Sequence, residues 1–318
     1  MKIRHLTAAI ALAIVAPIPA SAEPVAPTEI IVGQDMPGAF FAVPEGTGPF
    51  PAIILLGGSE GGDSTARRMA PRFLAQGYAI FGLPYYSPAW GDREQQFPAL
   101  SDAFDGIAIE KAEMARAWLA ERDEVRADDI GIWGVSKGGE FALLAGSYLD
   151  GFAAIAAIVP SDVVWEGWGP GRESGTVSSF SWQGEPLPFV PYEGMAEEFA
   201  NPTGPNGRAR LRLPHDRGRN ANPDRAVAAR IPVERIDEPV LVAGGDADLV
   251  WNSGEMAQIV AERRAAAGLP TVSLIFTDAG HSLSGDGTPN PYSNDEELSA
   301  QRIVWPATLE FFATYLKD

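Results

Sequence analysis

The stretch Ile130-Gly131-Ile132-Trp133-Gly134-Val135-Ser136-Lys137-Gly138-Gly139-Glu140-Phe141-Ala142 constrains this chain more than any other. An apolar run of strand character meets a G-x-S-x-G pentapeptide, Gly134 to Gly138, and then a segment with Phe141, Leu143, Leu144, Tyr148 and Leu149 in helical order. Strand, sharp turn and helix are the expected local structure, with Ser136 in a strained conformation and glycines around it admitting neighbouring backbone. Such a turn lifts the serine Oγ clear of the sheet edge, and the helix beginning there aims N–H groups at an anion formed on a substrate. Ser136 is the expected nucleophile; the alternative is a glycine-rich turn before a core helix.

Around this stretch apolar strands alternate with helices. Glu29–Val32 and Ala39–Val43 read as an antiparallel edge, and Pro51–Leu56 as a buried strand running into Gly57-Gly58-Ser59-Glu60-Gly61-Gly62. A helix over about 64–76, a strand Tyr78–Leu83 and a long helix from about Ser101 to Glu121 precede the nucleophile strand; a strand Phe152–Val159 follows its helix. From Ser161 to about Ile236 periodicity fails, in a segment rich in Trp, Pro and Gly. Alternation resumes with strand Pro239–Ala243, helix Ser253–Ala267, strand Thr271–Thr277 and a helix from about Glu296 to Leu316. This is the pattern of an α/β fold with a mostly parallel sheet and helices on both faces. A long irregular insertion inside such a domain is usually functional, and its position allows it to fold as a lid over the Ser136 end of the sheet; the alternative is a surface excursion that buries its aromatics against the body.

A serine hydroxyl needs a base beside it and a carboxylate behind that base. Of three histidines, His5 lies at the N-terminus, His215 in the insertion, and His281 on a glycine turn after the last sheet strand; His281 is the expected general base. The strand before it ends Gly244-Gly245-Asp246-Ala247-Asp248, and Asp248, at G-x-x-D spacing, is preferred to Asp246. The order Ser136, Asp248, His281 is the α/β-hydrolase order. Two backbone donors are expected to hold an oxyanion: the N–H of Lys137 and that of Ser59. Gly57–Gly62 lacks the Gly-Lys-Ser/Thr ending of a phosphate loop.

Lys2, Arg4 and His5, an apolar run from Leu6 to about Ala16, and Ala20-Ser21-Ala22 before Glu23 predict a secretory signal peptide over residues 1–22, leaving 23–318 as one domain. The run is too short and too interrupted by proline to remain as a membrane anchor. The chain has no cysteine, hence no disulfide and no thiolate metal site. Removing Lys2 and Arg4 takes the formal net charge from −18 to −20, which argues against nucleic acid or anionic lipid as partners. Seven arginines between Arg208 and Arg230 run against that acidity, either docking the insertion on the body or holding an anionic group of a substrate.

Gly134-Val135-Ser136-Lys137-Gly138-Gly139-Glu140 resembles the nucleophile turn of the acyl-CoA thioester hydrolase and bile acid-CoA:amino acid N-acyltransferase family, in its C-terminal catalytic domain. Phe50 to Gly62 is similar to that family's oxyanion strand and loop, Leu83-Pro84-Tyr85-Tyr86 to its next strand end, and Ser179 to Pro188 to an insertion in its bacterial members. Ile231 to Ile236 and Asp248-Leu249-Val250-Trp251-Asn252-Ser253 complete a match over roughly residues 50–315. The resemblance implies Ser136, Asp248 and His281 as the triad, with Tyr85, Tyr86 and Trp182 expected to contact substrate. It implies a small-molecule ester or thioester substrate with no metal or organic cofactor. The chain departs from the eukaryotic members, which carry a β-sandwich domain before the hydrolase domain, and from the N-acyltransferase branch, which has cysteine where this chain has Ser136. An oxyester on serine is more naturally resolved by water, so the expected activity is hydrolysis in the periplasm or outside the cell. The alternatives are acyl transfer to an amine or alcohol, and a catalytically silent ligand-binding protein.

Overall fold

The computed structural model describes residues 3–4, 29–89, 94–204 and 207–317. The signal peptide predicted over 1–22 lies almost wholly outside these residues; only Ile3–Arg4 (β1) are described, paired antiparallel to the last strand of the sheet. Next come β2 (Glu29–Ile31), β3 (Phe40–Ala42), β4 (Phe50–Leu56), α1 (Ser64–Leu74), β5 (Ala79–Gly82), β6 (Ile107–Ala108), α2 (Glu110–Ala120), β7 (Val125–Val135), α3 (Lys137–Tyr148) and β8 (Ala154–Ile158). The insertion holds β9 (Phe180–Trp182), β10 (Glu185–Pro186), α4 (Met195–Ala200), α5 (Arg212–Ala221) and α6 (Pro223–Ala228), and β11 (Val240–Gly245), α7 (Ser253–Ala266), β12 (Thr271–Phe276) and α8 (Asp295–Leu316) close the chain.

The main sheet runs β1-β12-β11-β8-β7-β4-β5-β3-β2. Its six central strands, from β12 to β5, are parallel, with β3 and β2 antiparallel at one edge. Successive side chains of a strand point to opposite faces, which is why a run such as Ile53-Ile54-Leu55-Leu56 is apolar throughout. Ile54 and Leu56 pack with Ala112 and Leu119 of α2 and Phe141 and Leu144 of α3. Ile53 and Leu55 pack on the other face with Met69 and Phe73 of α1 and Val304 and Phe312 of α8. The expected α/β architecture with helices on both faces is the one observed.

Two expectations need correction. The helix expected from Ser101 begins only at Glu110. Before it, Phe104 exchanges backbone hydrogen bonds with Trp168, and β6 pairs with β9 in a small three-stranded sheet. The apolar side chains of Phe104 and Ile107 follow helical spacing, but what they meet is the insertion: Phe104 stacks on Trp168 at 4.4 Å and meets Phe180 edge-on at 5.6 Å. The insertion, in turn, is irregular only in part, since it holds β9, β10, α4, α5 and α6 between its turns and loops. The three α-helices among its described residues have ten residues or fewer, too short for a periodic apolar stripe to show.

Arg264 shows how the lower half of the sheet is fastened. Fully buried, it donates to the carbonyls of Val233, Ile236, Glu238 and Pro270 and to Thr271 Oγ1, tying α7 to the chain segments that enter β11 and β12. Burial pushes its pKa down to about 10, so it stays charged at neutral pH. Arg264→Met would keep the apolar volume and orphan several buried carbonyls. The expected loss is about 3–5 kcal/mol, read from urea unfolding; a loss within about 1 kcal/mol would mean that water replaces the guanidinium.

Candidate active site

β7 delivers Ser136 at φ 58° and ψ −122°, in the left-handed region that ordinary residues avoid. Close packing imposes that turn. A Cβ on Gly134 would stand 2.0 Å from the Gly138 carbonyl oxygen, and one on Gly138 would stand 2.2 Å from the Gly57 oxygen. Both glycines of the pentapeptide are therefore steric requirements: the first turn of α3 lies directly on the strand that bears Ser136 and on the 57–62 loop. The Ser136 N–H is held by the Ile158 carbonyl at 2.9 Å.

His281 follows β12 on the loop that packs against the end of β11, where a Cβ on Gly245 would meet the Ala279 oxygen at 2.1 Å. Its Nε2 is 2.9 Å from Ser136 Oγ and its Nδ1 is 2.7 Å from Asp248 Oδ2. A carboxylate only accepts, so Nδ1 carries the ring proton and Nε2 is left to take the proton of Ser136. The Asp248 carboxylate is fully buried and has four donors. Oδ2 takes His281 Nδ1–H and Ser253 Oγ–H (2.6 Å); Oδ1 takes the N–H groups of Val250 (2.7 Å) and Trp251 (3.4 Å). Asp246 lies beside the first turn of α7 instead, its Oδ1 near Gly254. Between the two expected carboxylates, the structure brings Asp248 and not Asp246 to His281.

The loop facing Ser136 is held open by groups behind it. A Cβ on Gly58 would be 3.2 Å from Ser136 Cβ and 2.8 Å from Glu60 Oε2, so the glycine backbone packs closely on this side of the serine. Glu60 Oε1 accepts from the Gly58 N–H (3.1 Å) and Thr65 Oγ1–H (2.5 Å). The N–H of Ser59, and that of Lys137 at the first position of α3, donate to no acceptor among the described residues. Tyr85 and Tyr86, expected as substrate contacts, serve this loop instead: the Tyr85 hydroxyl donates to the Gly57 carbonyl at 2.5 Å and the Tyr86 hydroxyl to the Ser59 carbonyl at 3.3 Å. Both rings are buried against Phe104, and burial pushes both phenols up, Tyr86 to about 12. Trp182 is placed elsewhere altogether. Its ring packs on Tyr148 at the C-terminal end of α3, 5.4 Å away, about 18 Å along the helix from Ser136.

The insertion reaches the site mainly through α5. Arg212 Nη1 donates to the Asp246 carbonyl (2.6 Å) and the Asp248 carbonyl (3.3 Å), and the Arg212 N–H donates to the Leu249 carbonyl (2.9 Å). Arg219 pairs with buried Asp162, and Arg225 donates to the Phe189 carbonyl while lying over the Phe189 ring. Arg212 thus docks the insertion on the turn that carries Asp248, whereas the contacts of Arg219 and Arg225 lie within the insertion itself. Sequence reasoning also passed over Ser253 and Glu297; the latter caps α8 through Asn294 and accepts the Ser282 N–H, fixing the residue next to His281. The S/N-x-x-E spacing before an apolar helix was the available signal for that cap.

His215, buried one helical turn from Arg212, packs edge-on against Trp165, Tyr192 and Trp251 and has its Nδ1 2.6 Å from the Leu211 carbonyl; Trp251 in turn meets His281. Burial pushes its pKa from 6.5 down to about 3. The unfolded chain thus takes up a proton here that the fold refuses, so this residue's contribution to stability is full above pH 6.5 and is lost as pH falls toward 3. His215→Phe should flatten the loss of stability between pH 6.5 and pH 4, measured by urea midpoints. An unchanged pH slope would mean that His215 charges within the folded protein. Among the described residues no cluster of His, Asp and Glu has the make-up of a metal site, and no helix is long and apolar enough to cross a membrane.

A doubly wound sheet with a serine on the sharp turn after a central strand, a carboxylate after β11 and a histidine after β12 is the α/β-hydrolase architecture. An α/β-hydrolase enzyme from a Medee basin deep-sea metagenome library matches it with a TM-score of 0.55 at 15% identity, over 92% of this chain and 98% of that one. Within that class the chain belongs to the BAAT / acyl-CoA thioester hydrolase C-terminal family, whose model matches residues 107–318; that of the dienelactone hydrolase family matches residues 38–165. Similar relatives include human mitochondrial acyl-coenzyme A thioesterase 2 (26% identical over 278 residues, 84% of this chain and 50% of the relative) and mouse acyl-coenzyme A thioesterase 5 (28% over 245 residues, 76% and 51%). The chain thus spans about half the length of these relatives.

Proposed function

We propose that this chain is an exported serine hydrolase that cleaves an ester or thioester through an acyl-enzyme on Ser136. The observation that carries the proposal is the unbroken hydrogen-bonded line Ser136 Oγ, His281, Asp248, with Ser136 on a strained turn between strand and helix. In this reading Oγ attacks the acyl carbon and its proton passes to His281 Nε2, while the Ser59 and Lys137 N–H groups receive the oxyanion. As the tetrahedral intermediate collapses, the bond to the leaving group breaks and the leaving alkoxide or thiolate takes the proton from His281. Water then repeats the sequence: it gives a proton to His281, adds to the acyl carbon, and returns Ser136 with release of the acid. Asp248 holds the Nδ1–H tautomer and stabilises the imidazolium throughout. The names of the relatives support a thioester among the substrates. Serine at position 136 supports water as the acyl acceptor, and the charged, apolar and small-residue order of residues 1–22 supports export to the periplasm or beyond.

The test is a panel of p-nitrophenyl esters, lactones and acyl-CoAs on purified residues 23–318, with fluorophosphonate labelling and peptide mapping alongside. Turnover of at least one class with the label on Ser136 is expected; no turnover and no label would leave only a binding protein. Product analysis with added glycine or taurine separates hydrolysis from transfer. The mass of the exported protein should begin at Glu23, and one that retains residues 1–22 would refute export by cleavage.

A further inference from the structure

Lys137 has two ends with different surroundings. Its backbone N–H opens the first turn of α3 beside Ser136, while its side chain turns inward and is almost fully buried, 3% exposed, against a Glu140 that is wholly buried. Nζ donates to Glu140 Oε2 at 2.6 Å and to Ser179 Oγ at 3.0 Å, and the ring centroids of Phe104, Phe180 and Trp168 surround it at 5.1, 5.1 and 5.8 Å. Glu140 Oε1 takes the Trp165 N–H at 3.3 Å. Ser179 Oγ donates onward to the Glu166 carbonyl at 2.9 Å, and the Glu166 carboxylate gathers Ser174 Oγ–H and the N–H groups of Gly175 and Tyr192. A continuous hydrogen-bonded chain therefore joins the residue after the nucleophile to the inner strands of the insertion.

Stability does not account for charge at this place. Burial pushes the Lys137 pKa down and the Glu140 pKa up, each group resisting the loss of water while its partner holds it charged. A buried pair of this kind is about as stable as, or less stable than, apolar side chains of the same volume. What directional bonds supply and apolar contacts do not is a fixed position. An apolar interface tolerates sub-ångström sliding, and a displacement of about 1 Å at a reacting centre can cost about 10²-fold in rate.

We infer that the Lys137–Glu140 pair is a positioning device that locks the insertion to the first turn of α3 and so holds the Lys137 backbone N–H where it meets the oxyanion. This rests on the acyl-enzyme reading of Ser136 given above. The insertion is then part of the oxyanion hole by way of Ser179 and Trp165, although neither has to touch substrate.

The test uses the double variant Lys137→Met/Glu140→Leu, which removes both charges and keeps apolar volume, and the milder Ser179→Ala, which removes one hydrogen bond from Nζ. Three quantities are read: the melting temperature, the second-order rate of fluorophosphonate labelling at Ser136, and kcat and KM for a p-nitrophenyl ester. The double variant is expected to keep its melting temperature within a few degrees, while labelling rate and kcat both fall about tenfold to a hundredfold and KM stays within about twofold. Ser179→Ala is expected to lower both rates about threefold, again with little change in KM. Wild-type labelling rates in the two variants, or a rise in KM at unchanged kcat, would overturn the inference, the first because the pair then only fills space and the second because it then shapes substrate binding. Should the double variant fail to fold, Ser179→Ala decides by the same criteria. Absence of labelling in the wild type, or labelling of Ser136→Ala, would instead refute the acyl-enzyme reading itself.

Discussion

Ser136→Ala should lower kcat by about 10⁶-fold for whichever ester or thioester proves to be turned over, and His281→Ala should cost about as much, with the double variant no worse than either single one. The three residues act as a unit. Without Oγ there is no atom to carry the acyl group, and without Nε2 at 2.9 Å the hydroxyl keeps its proton and is a poor nucleophile at neutral pH. Folding should be unaffected, because the strained turn at φ 58° is imposed by the packing of Gly134 and Gly138 and not by the serine side chain, and alanine has the same backbone preferences. Steady-state kinetics with thermal melts as control measure this. Residual activity above about a tenth of wild type, in a variant that melts normally, would point to another nucleophile. Fluorophosphonate labelling that survived Ser136→Ala would locate it.

Much of this arrangement was legible because it is local. G-x-S-x-G between a strand run and a helix run, Asp248 after the next-to-last strand and His281 after the last each depend on a few neighbouring residues, and the alternation of apolar runs gave the parallel sheet. What escaped depends on partners far along the chain. The segment from Ser101 to Ile109 has the apolar spacing of a helix, yet its backbone pairs with Trp168, Ser179 and Ser181, more than sixty residues on, and nothing local records that competition. Tyr85 and Tyr86 stand at a strand end near the site, as expected, but their hydroxyls go to the carbonyls of Gly57 and Ser59, contacts with a loop more than twenty-five residues earlier. Trp182 misled for the same reason: it stands on β9 two residues beyond Phe180, which does reach Lys137, but it packs farther along α3, on Tyr148. The arginine-rich segment posed a choice between docking and substrate binding; the contacts of Arg212 are docking contacts, while those of Arg219 and Arg225 hold the insertion together internally.

Asp248→Asn should cost about 10⁴-fold in kcat, while Asp246→Asn should cost no more than about threefold. The difference follows from which oxygen is pinned. Oδ1 of Asp248 receives the N–H groups of Val250 and Trp251, so the carbonyl oxygen of an asparagine would stay on that side, where it alone can accept. Its amide NH₂ would then occupy the place of Oδ2 and donate toward His281 Nδ1, with Ser253 Oγ rotating to accept. An Nδ1 that accepts forces the ring proton onto Nε2, and the imidazole then presents N–H instead of a lone pair to Ser136. The geometry survives and the tautomer is wrong, so KM and the melting temperature should change little while kcat collapses. Asp246 has no such leverage, since its carboxylate lies against the first turn of α7 and its tie to the insertion runs through its backbone carbonyl, which asparagine keeps. A variant series in which Asp246→Asn lost more activity than Asp248→Asn would require His281 to exchange its partner in the working enzyme, and would overturn the assignment of Asp248.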